Sequence, residues 1–176
     1  EEQRMRRMAH EDALTGLPNR VLLHDRMRQA ILTADREGHK VGLVYFDLDH
    51  FKPVNDTHGH AVGDRLLRMV AARVRGALRE SDTLARVGGD EFVVLLPRCA
   101  QPLDAERVAT AILARLEQPF HDGELVLQIS GSLGYALYPD CGGDGEALLR
   151  CADLAMYDAK AHGRNRVSGS YRTKVE

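Results

Sequence analysis

Apolar positions along this chain recur with two different periods, and the changes of period mark its elements. Val62, Leu66, Val70, Val74 and Leu78 repeat every four residues, with Leu67 and Ala71 widening the stripe. That spacing predicts an amphipathic helix. Val108, Ile112 and Leu116 do the same within a helix at about Asp104 to Gln118. Val41 to Phe46 is a short apolar run suited to a buried strand, with Asp47 and Asp49 at its end. "TLARV" and "EFVVLLP" flank Gly88-Gly89 and read as an antiparallel hairpin, because glycine reaches positive φ at little cost. Asn19 is placed to cap a helix that starts near Arg20 and stops at Gly38. "ELVLQISGSLGYALYP" reads as one long bent strand or two short ones. A last helix spans about Asp144 to His162, ends at Gly163 and precedes a short strand near Arg166 to Ser168. Residues 1–10 are polar and helix-favouring, with Met5 and Met8 three apart, and read as the end of a longer incoming helix. No internal repeat, low-complexity tract or linker interrupts the order. The pattern predicts an α/β or α+β domain, one mixed sheet with helices packed on it.

Composition narrows the class. At 176 residues one domain with a substantial core is expected. A formal net charge of −2 argues against a nucleic-acid clamp, which needs a basic excess. The longest apolar runs, "VGLVYF" and "FVVLLP", are too short for membrane insertion, and no signal-peptide pattern opens the chain. Cys99, Cys141 and Cys151 are odd in number and lack metal-type spacing, so a reduced, cytoplasmic setting is expected. The first residue is Glu1 and not Met, so the chain reads as a piece of something longer.

The hairpin poses the chemical question. Nothing about a tight turn needs Asp90 and Glu91 side by side, since adjacent acids repel. A bound cation or a general-base role would explain them. If the hairpin lies beside the strand that carries Asp47, the carboxylates converge, and the Leu48 carbonyl can add a third oxygen. Mg²⁺ takes hard oxygen ligands, typically one or two carboxylates plus substrate phosphates. The plainer alternative, acids merely solvated at strand ends, suffices for Asp47 alone. Backbone N–H groups around His50 and Phe51 can cradle a phosphate tail, with Lys52, Lys160 and Arg164 supplying positive charge. Lys160 and Arg164 would also suit a helix C-terminus through the dipole alone. His58 and His60 flank Gly59 without a third ligand nearby and are taken as loop residues. Asp12 and Arg20 are expected to pair and fix the turn of "DALTGLPNR".

"GGDEF" at Gly88 to Phe92, with "FDLDHFKPVND" and "DALTGLPNR" upstream, resembles the GGDEF family of diguanylate cyclases. The resemblance runs from about His10 to Ser168. It implies a palm-like nucleotide-cyclase fold with a central mixed, mainly antiparallel sheet. The implied reaction condenses two GTP into cyclic di-GMP with release of two pyrophosphates, a step in bacterial second-messenger signalling. By the same resemblance Asp47, the Leu48 carbonyl and Asp90 hold Mg²⁺, or Mn²⁺ in its place. Asp90 or the neighbouring Glu91 assists deprotonation of the attacking 3′-hydroxyl. Asn55 and Asp64 match positions that read guanine. A carboxylate is acceptor-only and can take both N1–H and the N2 amino group, whereas adenine has no N1–H to give. Without the resemblance, Asp64 is simply a favourable acid in a first helical turn. Lys160 and Arg164 match a phosphate-binding pair. "RESD", with Arg79 and Asp82, matches an inhibitory product site, although an Arg and an Asp three apart at a helix end are commonplace.

The implied domain plan is an incoming helix over 1–10, a GGDEF domain over 11–170 and a tail over 171–176. Catalysis would need a homodimer of domains, since each holds one GTP, with an upstream sensor or dimerisation element. The competing expectation is a catalytically silent module that binds GTP or cyclic di-GMP beside a phosphodiesterase domain, to which "ADLAMYDAK" gives a weak pointer.

Overall fold

A computed structural model describes residues 1–170, so the expected tail lies outside the described residues. The chain runs through α1 (Glu2–His10), α2 (Arg20–Glu37), β1 (Lys40–Asp49), α3 (Phe51–His58) and α4 (His60–Arg75). It continues through β2 (Thr83–Gly88), β3 (Glu91–Cys99), α5 (Pro102–Glu117), β4 (Phe120–Asp122) and β5 (Leu125–Leu127), and ends with β6 (Ser130–Tyr138), α6 (Gly145–Ala161) and β7 (Arg166–Gly169). The main sheet has the order β2-β3-β1-β6-β7. Its pairings are antiparallel except β6 with β7. The expected mixed, mainly antiparallel sheet flanked by helices is therefore present.

Strand alternation splits the core into two layers. Val44, Phe46 and Leu48 of β1 pack with Leu66, Val70 and Val74 of α4 and with Ile112 and Leu116 of α5. Val41, Leu43 and Tyr45 face the other way, onto Leu23 and Met27 of α2 and Ala152 and Met156 of α6. Phe46 and Phe92 stack across β1 and β3 with ring centroids 5.3 Å apart. Asp47 and Asp49 follow Tyr45 at period two, so the second layer of apolar residues gives way to two carboxylates at its edge.

The end signals work as expected on α2. The Asn19 side chain accepts from the Leu22 N–H, and Gly38 closes the helix in the left-handed region at φ 81°. Elsewhere the structure departs from the sequence reading. β1 does not stop at Phe46 but carries both acids within it, because β3 and β6 pair with it as far as Asp47 and Asp49 respectively. His58 and His60, taken as loop residues, instead end the short helix α3 and open α4, and α3 is held by burial of Phe51 and Val54 three residues apart. One turn of apolar spacing is too little to announce it. Leu78 lies beyond the end of α4 and packs on the core from the following turn. β5 and β6 are two strands of different sheets, and β4, unanticipated, pairs with β5 in a separate hairpin. That hairpin is fastened to α4 by a fork from Arg65 to Asp122 and by Arg73 lying 3.6 Å over the Phe120 ring.

Asp12 and Arg20 do not pair. Asp12 accepts from Thr15 and from Arg86 Nη1 at 2.9 Å, so it ties the first turn to β2. Arg20 reaches the Val87 carbonyl instead. Both contacts brace the strand that leads into the acidic hairpin.

Candidate active site

The hairpin turn itself is Gly89-Asp90, with Gly88 ending β2 and only Gly89 of the glycine pair at positive φ, 40°. A register shift between Arg86 and Gly88 breaks the ladder just before it. Arg86 closes the turn by donating to the Gly89 carbonyl at 2.8 Å. β3 then places Glu91 directly opposite Asp47. The Leu48 N–H donates to the Asp90 carbonyl at 3.2 Å, so the backbones of Leu48 and Asp90 lie side by side. Asp47, Leu48 and Asp90 line one cavity of about 330 Å³ together with His50, Phe51, Lys52, Pro53 and Arg164. Residues expected to hold a metal and residues expected to meet phosphate thus share one small concavity.

α6 supplies the cation over this floor. A Cβ on Gly134 of β6 would fall 2.1 Å from the Met156 backbone nitrogen. Only glycine lets the helix lie this close to the sheet, and that approach carries Lys160, one turn further on, to an ion pair with Asp47. Burial pushes the Asp47 carboxyl above the usual carboxylate range against the pull of Lys160, and the charges of Asp90 and Asp49 push the same way. Asp90 is raised too, first by burial, with Lys160 opposing. Burial works against the Lys160 ammonium, but Asp47, Glu91 and Asp90 together raise its pKa. Three acids around one lysine leave an excess of negative charge.

The oxygen set fits a hard divalent cation. Asp47 Oδ1 is buried with no hydrogen-bond partner, and such an orphan acceptor needs an explanation. Among the described residues no three His, Cys, Asp or Glu side chains cluster as a metal site, which also leaves His58 and His60 without the makings of a zinc centre. Two carboxylates and a carbonyl suit Mg²⁺ whose remaining ligands come from water and phosphate.

His50 sits at φ 67° as the residue before α3 and offers no capping side chain. Among the described residues no side chain accepts from the N–H groups at the start of that helix, and Pro53 has no N–H to offer. Lys52 is exposed beside them. Asn55 and Asp64 come from α3 and α4, whose junction at Gly59 folds the two helices against each other.

Asp49 is the residue that sequence reasoning noticed but left without a task. Its side chain is fully buried and accepts from Ser130 Oγ at 2.9 Å, Ser132 Oγ at 2.8 Å and the Asn165 N–H at 2.9 Å. Arg164 Nη1 stands 3.6 Å away. The carboxylate thus pins the α6–β7 loop, in which Arg164 and Asn165 both have positive φ. Two acids at period two on a strand end were the available signal, but the partners lie more than eighty residues away in the chain.

Arg79 and Asp82 lie not at a helix end but in the turn between α4 and β2, where Asp82 Oδ2 accepts the Arg79 N–H at 2.9 Å. They line a separate cavity of about 530 Å³ with Arg98, Cys99, Asp104 and Arg107. Burial pushes the Cys99 thiol up to about 11, so it is a neutral packing group there. β3 runs from the acidic turn at Glu91 to this cavity at Cys99, a span of roughly 25 Å at strand rise.

Residues 9–166 match the family model described as diguanylate cyclase, GGDEF domain, and the chain belongs to that family. It is 47% identical over 158 residues to MucR of Pseudomonas aeruginosa, a bifunctional diguanylate cyclase/cyclic di-GMP phosphodiesterase, covering 90% of this chain but only 23% of MucR. It is 45% identical to the diguanylate cyclase TpbB of the same organism, over 89% of this chain and 36% of TpbB. The structure of a delta-N mutant of TpbB comprising only the GGDEF domain superposes with a TM-score of 0.88 at 40% identity, covering 95% of this chain and all of that one. The coiled coil and GGDEF domain of DgcB from Caulobacter crescentus, solved with c-di-GMP, gives a TM-score of 0.85 at 32% identity, covering 96% of this chain and 89% of that one. Among the described residues no helix is long and apolar enough to cross a membrane.

Proposed function

We propose that this domain is a diguanylate cyclase that condenses two GTP into cyclic di-GMP, two copies of the domain facing each other with one GTP in each. The reading rests on the 330 Å³ cavity in which Asp47, Leu48 and Asp90 meet His50, Phe51, Lys52 and Arg164. Each 3′-oxygen attacks the α-phosphorus of the other nucleotide. One phosphorus–oxygen bond forms, one breaks, and pyrophosphate leaves; the 3′-hydroxyl proton passes to a base. Asp47, the Leu48 carbonyl and Asp90 would hold Mg²⁺ or Mn²⁺, which supplies charge neutralisation on the polyphosphate and acidifies the attacking hydroxyl. Asp90 or the neighbouring Glu91 would take its proton. The first N–H groups of α3, with Lys52, Lys160 and Arg164, meet the phosphates, while Asn55 and Asp64 read the guanine edge. Incubation of the chain with GTP and Mg²⁺, followed by chromatography of the products, tests this reading. Cyclic di-GMP and pyrophosphate in a 1:2 ratio are expected. GTP binding without turnover would instead support a silent binding module, a role open to the GGDEF portion of a protein built like MucR.

The second cavity, around Arg79 and Asp82, suits the product. An Arg fork can grip guanine O6 and N7 and a carboxylate can accept N1–H. Arg98 and Arg107 add charge for the phosphates. Arg79→Ala is expected to weaken cyclic di-GMP binding by about 1–3 kcal/mol, roughly five- to 150-fold. Initial rates should hardly change, and late progress curves should flatten less. Equal affinities by calorimetry would return "RESD" to an ordinary charged turn.

A further inference from the structure

Gly63 is a buried residue in the first turns of α4. Glycine is a poor helix former, and its usual justification is absent, because Gly63 is not among the positive-φ glycines. A Cβ built on it would fall 1.7 Å from Asn55 Oδ1, 2.8 Å from Asn55 Cγ and 3.4 Å from Asn55 Nδ2. The three nearest obstacles are therefore atoms of a single side chain, projected from α3. The amide of Asn55 lies in the space that any other residue at position 63 would fill. Its Oδ1 is buried there without a partner. Asp64, exposed, follows immediately in sequence.

We propose that Gly63 is a positioning residue for base recognition: its missing side chain is the seat that keeps the Asn55 amide beside Asp64, and a methyl group there evicts the amide. The inference rests on reading Asn55 and Asp64 as the guanine site. Oδ1 is turned onto Gly63 and shut off from solvent, which leaves the NH2 end of the amide to meet a base. Guanine offers that donor its O6 acceptor, where adenine carries an amino group. The helix thus gives up the better helix former at one position to keep the amide in place.

The test uses Gly63→Ala, Asn55→Ala and the double variant. GTP and ATP analogues with a methylene between the α- and β-phosphates prevent turnover, and calorimetry reads their affinities. Gly63→Ala should lower affinity for the GTP analogue roughly five- to tenfold, the lower part of what a good base contact contributes. Affinity for the ATP analogue should stay within twofold. In the Asn55→Ala background the same change should cost nothing further, since the amide it displaces is gone. The thermal midpoint should hold or rise, because alanine favours the helix. Should the midpoint fall, its recovery in the Asn55→Ala background supports the proposal, and an equal fall there overturns it. Equal loss for the GTP and ATP analogues, or additive losses in the double variant, would also overturn it. So would unchanged affinity for the GTP analogue in Gly63→Ala. If the unmodified chain does not bind the GTP analogue, the reading of Asn55 and Asp64 as a guanine site fails first, and the inference with it.

Discussion

Asp90→Asn is expected to abolish cyclic di-GMP formation while giving a folded protein whose metal-free thermal midpoint at neutral pH is no lower than the original's. The two halves of this result have one cause. Asp90 is held above the usual carboxylate range chiefly by burial, with Asp49 adding repulsion. A carboxyl that is harder to ionise in the folded state than in the unfolded chain opposes folding once it is charged. As pH rises past the unfolded value of about 3.9, the unfolded chain ionises first, and stability falls until the raised folded pKa is passed. Above that the loss is constant. Asparagine removes the charge and with it this loss. The midpoint gap between Asp90→Asn and the original should therefore be present at neutral pH and close as pH drops below the carboxylate range. A cation reverses the logic, because it needs both Asp47 and Asp90 ionised; binding of Mn²⁺, followed by its paramagnetic signal, should strengthen with pH across the same window. Asp47→Asn should abolish activity as well, but it leaves Lys160 without its partner, so its effect on stability is mixed. Near-normal product formation by folded Asp90→Asn protein would sink the metal assignment.

How much of this site was legible in the chain depends on how local each signal is. The hairpin announced itself because Gly88, Gly89, Asp90 and Glu91 are contiguous, while the pairing of β1 with β3 entered only as a condition, which the sheet meets. Convergence of Asp47 with Asp90 needed only that one pairing. The helix α3 was missed because eight residues with two buried apolar side chains carry no measurable period. Partner choice among charges was least legible. Asp12 and Arg20 sit eight apart and look paired, yet Arg86 takes Asp12 from seventy-four residues away. Gly63 could be read as a mere helix-start glycine, since its reason for being small lies in Asn55 on another helix. Period and turn chemistry are fixed by neighbours in sequence; charge pairing and close packing are fixed by the sheet order, which no single segment encodes.

Asp49 carries the second large expected effect, and two substitutions separate its roles. Asp49→Ala removes the acceptor of two serine hydroxyls and the Asn165 N–H in a fully buried place. Each orphaned donor costs on the order of 1–3 kcal/mol, so a loss of about 3 kcal/mol or more in folding stability is expected. The loop loses its anchor too. Left-handed conformations at Arg164 and Asn165 cost roughly 1–2 kcal/mol each for residues with a side chain, and the bond from the Asn165 N–H to Asp49 helps hold them beside that from the Arg164 N–H to the Ala159 carbonyl. Asp49→Asn is gentler. Its amide oxygen can take the place of Oδ2, accepting from Asn165 and Ser130, while its amino group donates to Ser132 Oγ, whose hydroxyl is free to rotate. The loop then keeps its shape, but the negative charge facing the Arg164 guanidinium is gone. Under the proposed chemistry, Asn at this position should raise the KM for GTP several-fold with a smaller change in kcat, because Arg164 loses its orientation toward the phosphates while Asp47 and Asp90 stay in place. Thermal unfolding and steady-state kinetics on the two variants decide between anchoring and orienting. If Asp49→Asn matches the original in KM while Asp49→Ala unfolds, the carboxylate braces the loop and has no hand in aiming Arg164.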